Sequence, residues 1–369
     1  MLDFTSALYL GLRHGSGTLG RWDALTLGKP AALGAPPVAG GVAEGLAALQ
    51  GLEATTVGPS TLHLFWDLLG LLARDPVAIL MDQGTYPIAR WGVERAAARG
   101  VPVRIFRHHD LDGLREALQR LKGRCLVPVV IADGFCPGCG KPAPLSGYAE
   151  AAASSGGFLV IDDTQALGIL GARPTAKRPY GRGGGGSVRF AGLRLRNVAV
   201  IASLAKGFGV PMAALSGTRT FVRRFEGLSD TRVHCSPPSI PVLEAARTAL
   251  EWNRRHGESR RAALLSGIQA FRNLVLQAGW TLDGNTFPVQ TLAQIPGANA
   301  AALHARLSRS GVRTVLHGAE GRRAAVAFIV TARHSPEEIE RAALALGSPP
   351  LPAAAAPIEP RGGTYVPNP

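Results

Sequence analysis

VAVIASLAKGFG, residues 198–209, decides how this chain folds. Its first five residues are apolar without alternation, the pattern of a strand buried on both faces, and a glycine-rich turn carrying Lys206 follows. Working outward, runs of the same kind recur as GFLVID (157–162), LVPVVIAD (126–133), VPVRIF (101–106) and VAILMD (77–82) upstream, and PMAALSG (211–217) downstream. Helical patterns alternate with them at 88–99, 111–121, 144–154 and 219–227, and STLHLFWDLLGLLARD starts a helix at Ser60 or Thr61. Phe4 to Leu12 reads as an early extended segment, and residues 49–57 are ambiguous. Alternation of this kind predicts an α/β fold with a mostly parallel sheet covered on both faces.

Past about residue 237 the character changes. Residues 240–277 predict one or two long arginine-rich helices, followed by FPVQTLAQI, a helix through 298–309, VRTVLH and AAVAFIVT. Ser335, Pro336 and Glu338 announce a last helix as cap, first-turn proline and capping-box acid. The chain therefore divides into an N-terminal arm (1–45), a large domain (46–237), a smaller C-terminal α+β domain (238–346) and a Pro/Ala-rich tail (347–369).

With 46% hydrophobic and 18% charged residues among 369, the chain is not an intrinsically disordered one. No window reaches eighteen uninterrupted apolar residues and the first fifteen carry no basic leader, so neither a membrane span nor a secretory signal is expected. Four cysteines, Cys125, Cys136, Cys139 and Cys235, are too few for a disulfide scaffold and point to the cytoplasm. Forty basic against 26 acidic residues give a net charge of +14. The basic residues are spread along the chain without interleaved aromatics, which argues against a nucleic-acid partner and for anionic small molecules.

Four motifs are read as minor features. Gly15 to Gly20 matches GxGxxG but lacks the flanking strand and helix of a dinucleotide site. Cys136-Pro137-Gly138-Cys139 is a lone CxxC, read as a loop, with metal or redox use as alternatives and no metal site assigned. Asp110 caps helix 111–121, leaving His108 and His109 as polar loop neighbours. GRGGGGSVRF (181–190) reads as a surface hairpin loop.

Three features at strand ends suit one cofactor. Lys206, just after a buried strand, is placed for Schiff-base chemistry. Asp162, ending GFLVID, lies at the carboxyl edge of the sheet, where a carboxylate can pair with a protonated pyridine nitrogen. Ser60 and Thr61 open a helix whose free amides form a phosphate site with Leu62. Together they indicate pyridoxal 5′-phosphate, with Ser203 as a further phosphate hydroxyl, Tyr86 stacking on the ring and Gln165 donating to its phenolic oxygen.

LDFTSALYLGL (2–12), DGFCPGCGKPAPL (133–145), IDDTQALGILG (161–171), SLAKGFG (203–209) and TARHSPEEIERA (331–342) resemble the α-oxoamine synthases. These are fold-type-I pyridoxal-phosphate enzymes of the aminotransferase class I/II superfamily, and include 8-amino-7-oxononanoate synthase and glycine C-acetyltransferase. The resemblance implies an aspartate-aminotransferase-like large domain with a mostly parallel seven-stranded sheet. It makes Lys206 the internal-aldimine lysine and Asp162 the pyridine partner, sets Ser60, Thr61, Leu62 and Ser203 around the phosphate, and puts Ser236 near the phosphate of the other subunit of a homodimer.

Three positions depart from that pattern. Tyr86 and Gln165 stand where the synthases carry histidines, and Ala327 stands where they carry a carboxylate-binding arginine, for which Arg322, Arg323 or Arg333 are substitutes. The resemblance implies an enzyme that forms an external aldimine with an amino acid or amine and condenses it with an acyl thioester. The altered pocket keeps a second reading, an aminotransferase taking an unusual amino donor and an oxo acid, and a third, a catalytically silent homologue.

Overall fold

The computed structural model describes residues 1–193, 197–293, 299–318 and 324–349. At its centre is a seven-stranded sheet, with strands in chain order β1 (Ala54–Gly58), β2 (Val77–Asp82), β3 (Val103–Phe106), β4 (Val127–Asp133), β5 (Phe158–Asp162), β6 (Val198–Ser203) and β7 (Ala213–Gly217). The spatial order is β1-β7-β6-β5-β4-β2-β3. Only β7 runs antiparallel to its neighbours. The mostly parallel α/β sheet expected from the apolar runs is therefore present, and the ambiguous stretch before Gly58 supplies its edge strand.

Alternate residues of one strand enter different cores. Ile79, Val129 and Val160 pack with Leu64, Phe65 and Val93 on one face. Leu80, Val130 and Leu159 pack with Leu114, Leu118 and Tyr148 on the other. Side chains on a strand point alternately to the two faces, so a double-faced core requires an unbroken apolar run. The helices supplying those faces are α1 (Val38–Gln50), α2 (Thr61–Leu72), α3 (Pro87–Ala97), α4 (Leu111–Gln119) and α5 (Leu145–Ser154).

A 38-residue helix, Ile240–Gln277, links this domain to the C-terminal part. Leu243, Ala246 and Ala249 pack on Val42 and Leu46 of α1. Further along, Leu264, Ile268 and Phe271 join Phe328, Val330 and Ile339 in a separate core. That C-terminal unit holds a four-stranded antiparallel sheet and the Pro336–Leu346 helix, whose capping box is formed by Ser335 and Glu338.

Two local expectations are corrected. Phe4 to Leu12 is not extended: after the short Leu2–Asp3 strand the backbone is irregular, held by the burial of Phe4, Tyr9 and Leu10. GRGGGGSVRF is not a surface loop, because Gly181 and Gly184 to Val188 are buried. Gly186 adopts φ +86 against Asp163, where a Cβ would lie 1.9 Å from Oδ2, and only glycine fits there. Arg322, Arg323 and the tail from 350 onward lie outside the described residues.

Candidate functional site

The strand register gathers the chemistry-bearing residues along one edge of the sheet. Asp162 lies opposite Asp133 on one side and Ile201 on the other. Ser203 lies opposite Ala213, which in turn faces Gly58, two residues before Ser60. β2, β4, β5 and β6 thus end on Asp82, Asp133, Asp162 and Ser203 along one side of the sheet, the carboxyl edge where open α/β sheets bind ligands.

Lys206 sits in the turn after β6. Glycines let this turn pack closely: a Cβ on Gly207 would fall 2.3 Å from the Leu167 carbonyl oxygen, and one on Gly209 would fall 2.7 Å from that of Leu12. Burial pulls the Lys206 ammonium pKa down, while the Asp162 and Asp133 carboxylates push it back up. Its Nζ stands 6.0 Å from the centroid of the Tyr86 ring.

Asp162 is buried and accepts the Thr164 amide at 3.0 Å. Burial raises its pKa, opposed by the Thr164 hydrogen bonds and by Lys206. Asp133 accepts the Tyr86 amide at 3.1 Å, and burial followed by the neighbouring Asp162 charge holds its pKa well above the usual carboxylate range. Two carboxylates on adjacent strands beside one amine form a single coupled group. Asp133 was missed in the sequence, although an acid ending a buried apolar run is the signal that Asp162 also gave.

Gln165 is held from outside the sheet. The Tyr9 hydroxyl donates to Gln165 Oε1 at 2.6 Å, and burial raises the Tyr9 pKa, so the phenol keeps its proton. The amide oxygen is occupied, and the amide nitrogen is the end available to donate. Tyr9 carried no functional signal in the sequence because its role depends on a partner 156 residues away.

Ser60 is the N-cap of α2, accepting the His63 amide, with its hydroxyl 2.8 Å from His63 Nδ1. Thr61 and Leu62 open the helix, where backbone amides lack intrahelical acceptors. The Ser203 hydroxyl accepts the Ala205 amide, which leaves its proton free to donate. Ser236 lines a crevice with Gly58, Pro59 and His63 of its own chain, beside the start of α2. Tyr86, half-exposed, is the N-cap residue of α3 and presents its ring toward Lys206. Ala327 is buried in the C-terminal sheet, paired with Val315 and Thr291. Arg333 instead lines, with Arg13 and Arg260, a cavity of about 550 Å³ next to Gly11 and Leu12.

The donor set fits pyridoxal phosphate. A buried carboxylate suits a cationic ring nitrogen, an amide-rich helix start suits a phosphate, and a desolvated amine suits an aldehyde.

The architecture is that of fold-type-I pyridoxal-phosphate enzymes. It superimposes on the serine palmitoyltransferase of Sphingomonas wittichii with a TM-score of 0.80 at 17% identity, over 93% of this chain and 86% of that one. For the 8-amino-7-oxononanoate synthase of Francisella tularensis the TM-score is 0.72 at 16% identity, over 94% and 96%. No family model matches the chain. In sequence it is 30% identical over 317 residues to the 8-amino-7-oxononanoate synthase of Halorhodospira halophila, covering 82% of this chain and 72% of that protein. Several other curated relatives match over only half to two thirds of their own length. The chain belongs to the α-oxoamine synthase family of pyridoxal-phosphate-dependent transferases. Among the described residues no helix is long and apolar enough to cross a membrane.

Proposed function

We propose that this chain joins an amino substrate to the acyl group of a thioester at the edge bearing Lys206. The observation that carries the reading is the Lys206 amine itself, half-buried, under the charge of the buried Asp162 and the half-buried Asp133, and facing the Tyr86 ring. Bound there, pyridoxal phosphate supplies an aldehyde that captures amines and a ring that withdraws electrons from the attached carbon.

Burial enlarges the neutral fraction of Lys206, which equips it to attack a carbonyl and to carry a proton to or from the substrate carbon. Asp162 holds the proton of the ring nitrogen. Thr61 and Leu62 offer backbone amides to the phosphate, joined by the hydroxyls of Ser60 and Ser203, and Ser236 reaches the phosphate held by the other copy of the chain. Tyr86 covers one ring face and the Gln165 amide donates to the phenolic oxygen. Arg333, with Arg13, takes over substrate-carboxylate recognition from the position held by Ala327. Two copies of the chain pair, which buries apolar residues exposed on one copy such as Leu25 and Leu33.

Transamination is the second reading, favoured by the loss of an arginine at Ala327. Pyridoxal phosphate is added to wild type and to Lys206→Ala, and visible spectra are compared. An amino acid is then supplied with and without an acyl thioester. A lysine-dependent band, with thiol released only when both substrates are present, is the expected result. Conversion of the cofactor to its amine form without thioester selects transamination, and coincident wild-type and variant spectra overturn both readings.

A further inference from the structure

The CxxC motif and the two histidines, far apart in sequence and assigned to ordinary loops, meet in the fold. Phe135–Cys136 and Lys141–Pro142 form a tight hairpin around Cys136-Pro137-Gly138-Cys139-Gly140. Its turn is closed by the Gly140 amide on the Cys136 carbonyl at 2.9 Å, with Gly140 at φ +67. The Cys139 amide points at Cys136 Sγ, 3.4 Å away.

Across from the hairpin, the loop after β3 presents His108 and His109. His108 Nε2 lies 3.4 Å from Cys139 Sγ. Ligand atoms of His108, His109 and Cys139 all fall within 4.8 Å of one another. Behind His108, its Nδ1 meets Asp82 Oδ1 at 2.7 Å. Asp82 is buried and also accepts the His109 amide and the Tyr148 hydroxyl. A carboxylate on the far nitrogen fixes the tautomer that leaves Nε2 as a lone-pair donor, the usual support of a metal-binding histidine. His109 adopts φ +58, and its ring lies 3.7 Å from that of His108, centroid to centroid.

We propose that His108, His109 and Cys139, whose ligand atoms already cluster, bind one zinc ion, and that Cys136, three residues away in the same hairpin with its sulfur outside that cluster, turns in as the fourth ligand of a closed tetrahedral site. Zinc bonds of about 2.0–2.3 Å set neighbouring ligands about 3.3–3.8 Å apart, a range that contains the His108–Cys139 separation. Two sulfurs and two imidazoles are a zinc donor set, and four protein ligands leave no open position for catalysis. On binding, each thiol gives its proton to solvent, and two thiolates with two neutral imidazoles make the loaded site electrically neutral. The adjacent Lys141 is then not repelled.

The site braces the hairpin, and through it the C-terminal unit. Asn285 Nδ2 donates to the Gly140 carbonyl at 3.3 Å, and Phe135 stacks on Phe287 at 4.0 Å. The inference is independent of the cofactor reading, because none of its four ligands belongs to the Lys206 site.

The full chain is purified under reducing conditions, exchanged against Zn²⁺ or Co²⁺, and its metal content measured by mass spectrometry. Wild type and Cys125→Ser are expected to retain one equivalent of Zn²⁺. The pair Cys136→Ser/Cys139→Ser should lose it, and Asp82→Asn should bind Zn²⁺ about 10–100-fold more weakly. Co²⁺ should give thiolate-to-cobalt charge-transfer absorption in wild type, read as the difference from the metal-free protein, so the result stands even where a variant fails to fold. Wild type that takes up no Zn²⁺ and shows no such absorption overturns the proposal. So does an intact mass two daltons low, which assigns the cysteines to a disulfide.

Discussion

Replacing Asp163 by asparagine should make the protein more stable in base and leave it little changed in mild acid. Asp163 is 1% exposed, and its carboxylate accepts the Ser187 amide, which reaches both oxygens at 3.1 and 3.0 Å. Burial dominates over these contacts and raises the carboxyl pKa from 3.8 to about 7. A carboxyl whose folded pKa lies above its unfolded one takes up protons on folding, so its stabilising protonation is complete below about pH 4 and is lost as pH rises to 7. At about 1.4 kcal/mol per pH unit the total penalty in base reaches about 4 kcal/mol. Asparagine carries no charge but keeps only one oxygen for the Ser187 amide, at a cost of about 1 kcal/mol. Asp163→Asn is therefore expected to be about 3 kcal/mol more stable than wild type at pH 8, and the gap should shrink by most of that amount at pH 5. Urea unfolding at the two pH values measures it. A gap that stays constant would show that Asp163 is solvated and ionised throughout, and would refute the burial argument.

Three further outcomes follow from the packing. Phe287→Ala removes a buried ring that stacks on Phe135 and meets Tyr9 edge-on at 5.6 Å, and should cost about 3–5 kcal/mol in urea unfolding. Tyr9→Phe deletes the hydroxyl that holds Gln165, costing about 1 kcal/mol, and should weaken pyridoxal-phosphate retention measured by dialysis. Ser335→Ala breaks the capping box of the last helix and should cost about 1 kcal/mol, with no effect on the Lys206-dependent band.

Strands and helices of the large domain were readable because its central strands are buried on both faces and several of its helices carry their own caps. Ser60 and Asp110 cap α2 and α4 in the structure as their sequence positions indicate. Their signals are local, and a window of ten residues contains them. The segment from Phe4 to Leu12 was misread for the opposite reason: Phe4, Tyr9 and Leu10 face a core assembled from residues between Phe135 and Leu346, and nothing nearby in sequence reveals that. GRGGGG was misread because glycine content reports backbone freedom and not exposure. Lys206 and Asp162 were recoverable from their strands, and Asp133 carries the same local signal, whereas the contact of Tyr9 with Gln165 and the meeting of His108 with Cys139 depend on long-range packing, which no local pattern encodes.

Strand order also explains how the edge tolerates its acids. Asp82, Asp133 and Asp162 end β2, β4 and β5, three neighbours in the sheet. Strands lie about 4.8 Å apart, and like charges at such a separation in a protein repel by a few kcal/mol. The row persists because each acid has a different partner. Asp82 is taken by His108, the His109 amide and Tyr148. Asp162 faces Lys206, and Asp133, left with one amide and the weaker share of that lysine, is the one driven furthest toward protonation. Removing the lysine charge should therefore push both Asp133 and Asp162 further toward protonation, whereas the Asp82 charge acts on Asp133 and not on Asp162. The acid row thus couples the Lys206 edge to the cysteine hairpin by charge, without any side chain reaching from one to the other.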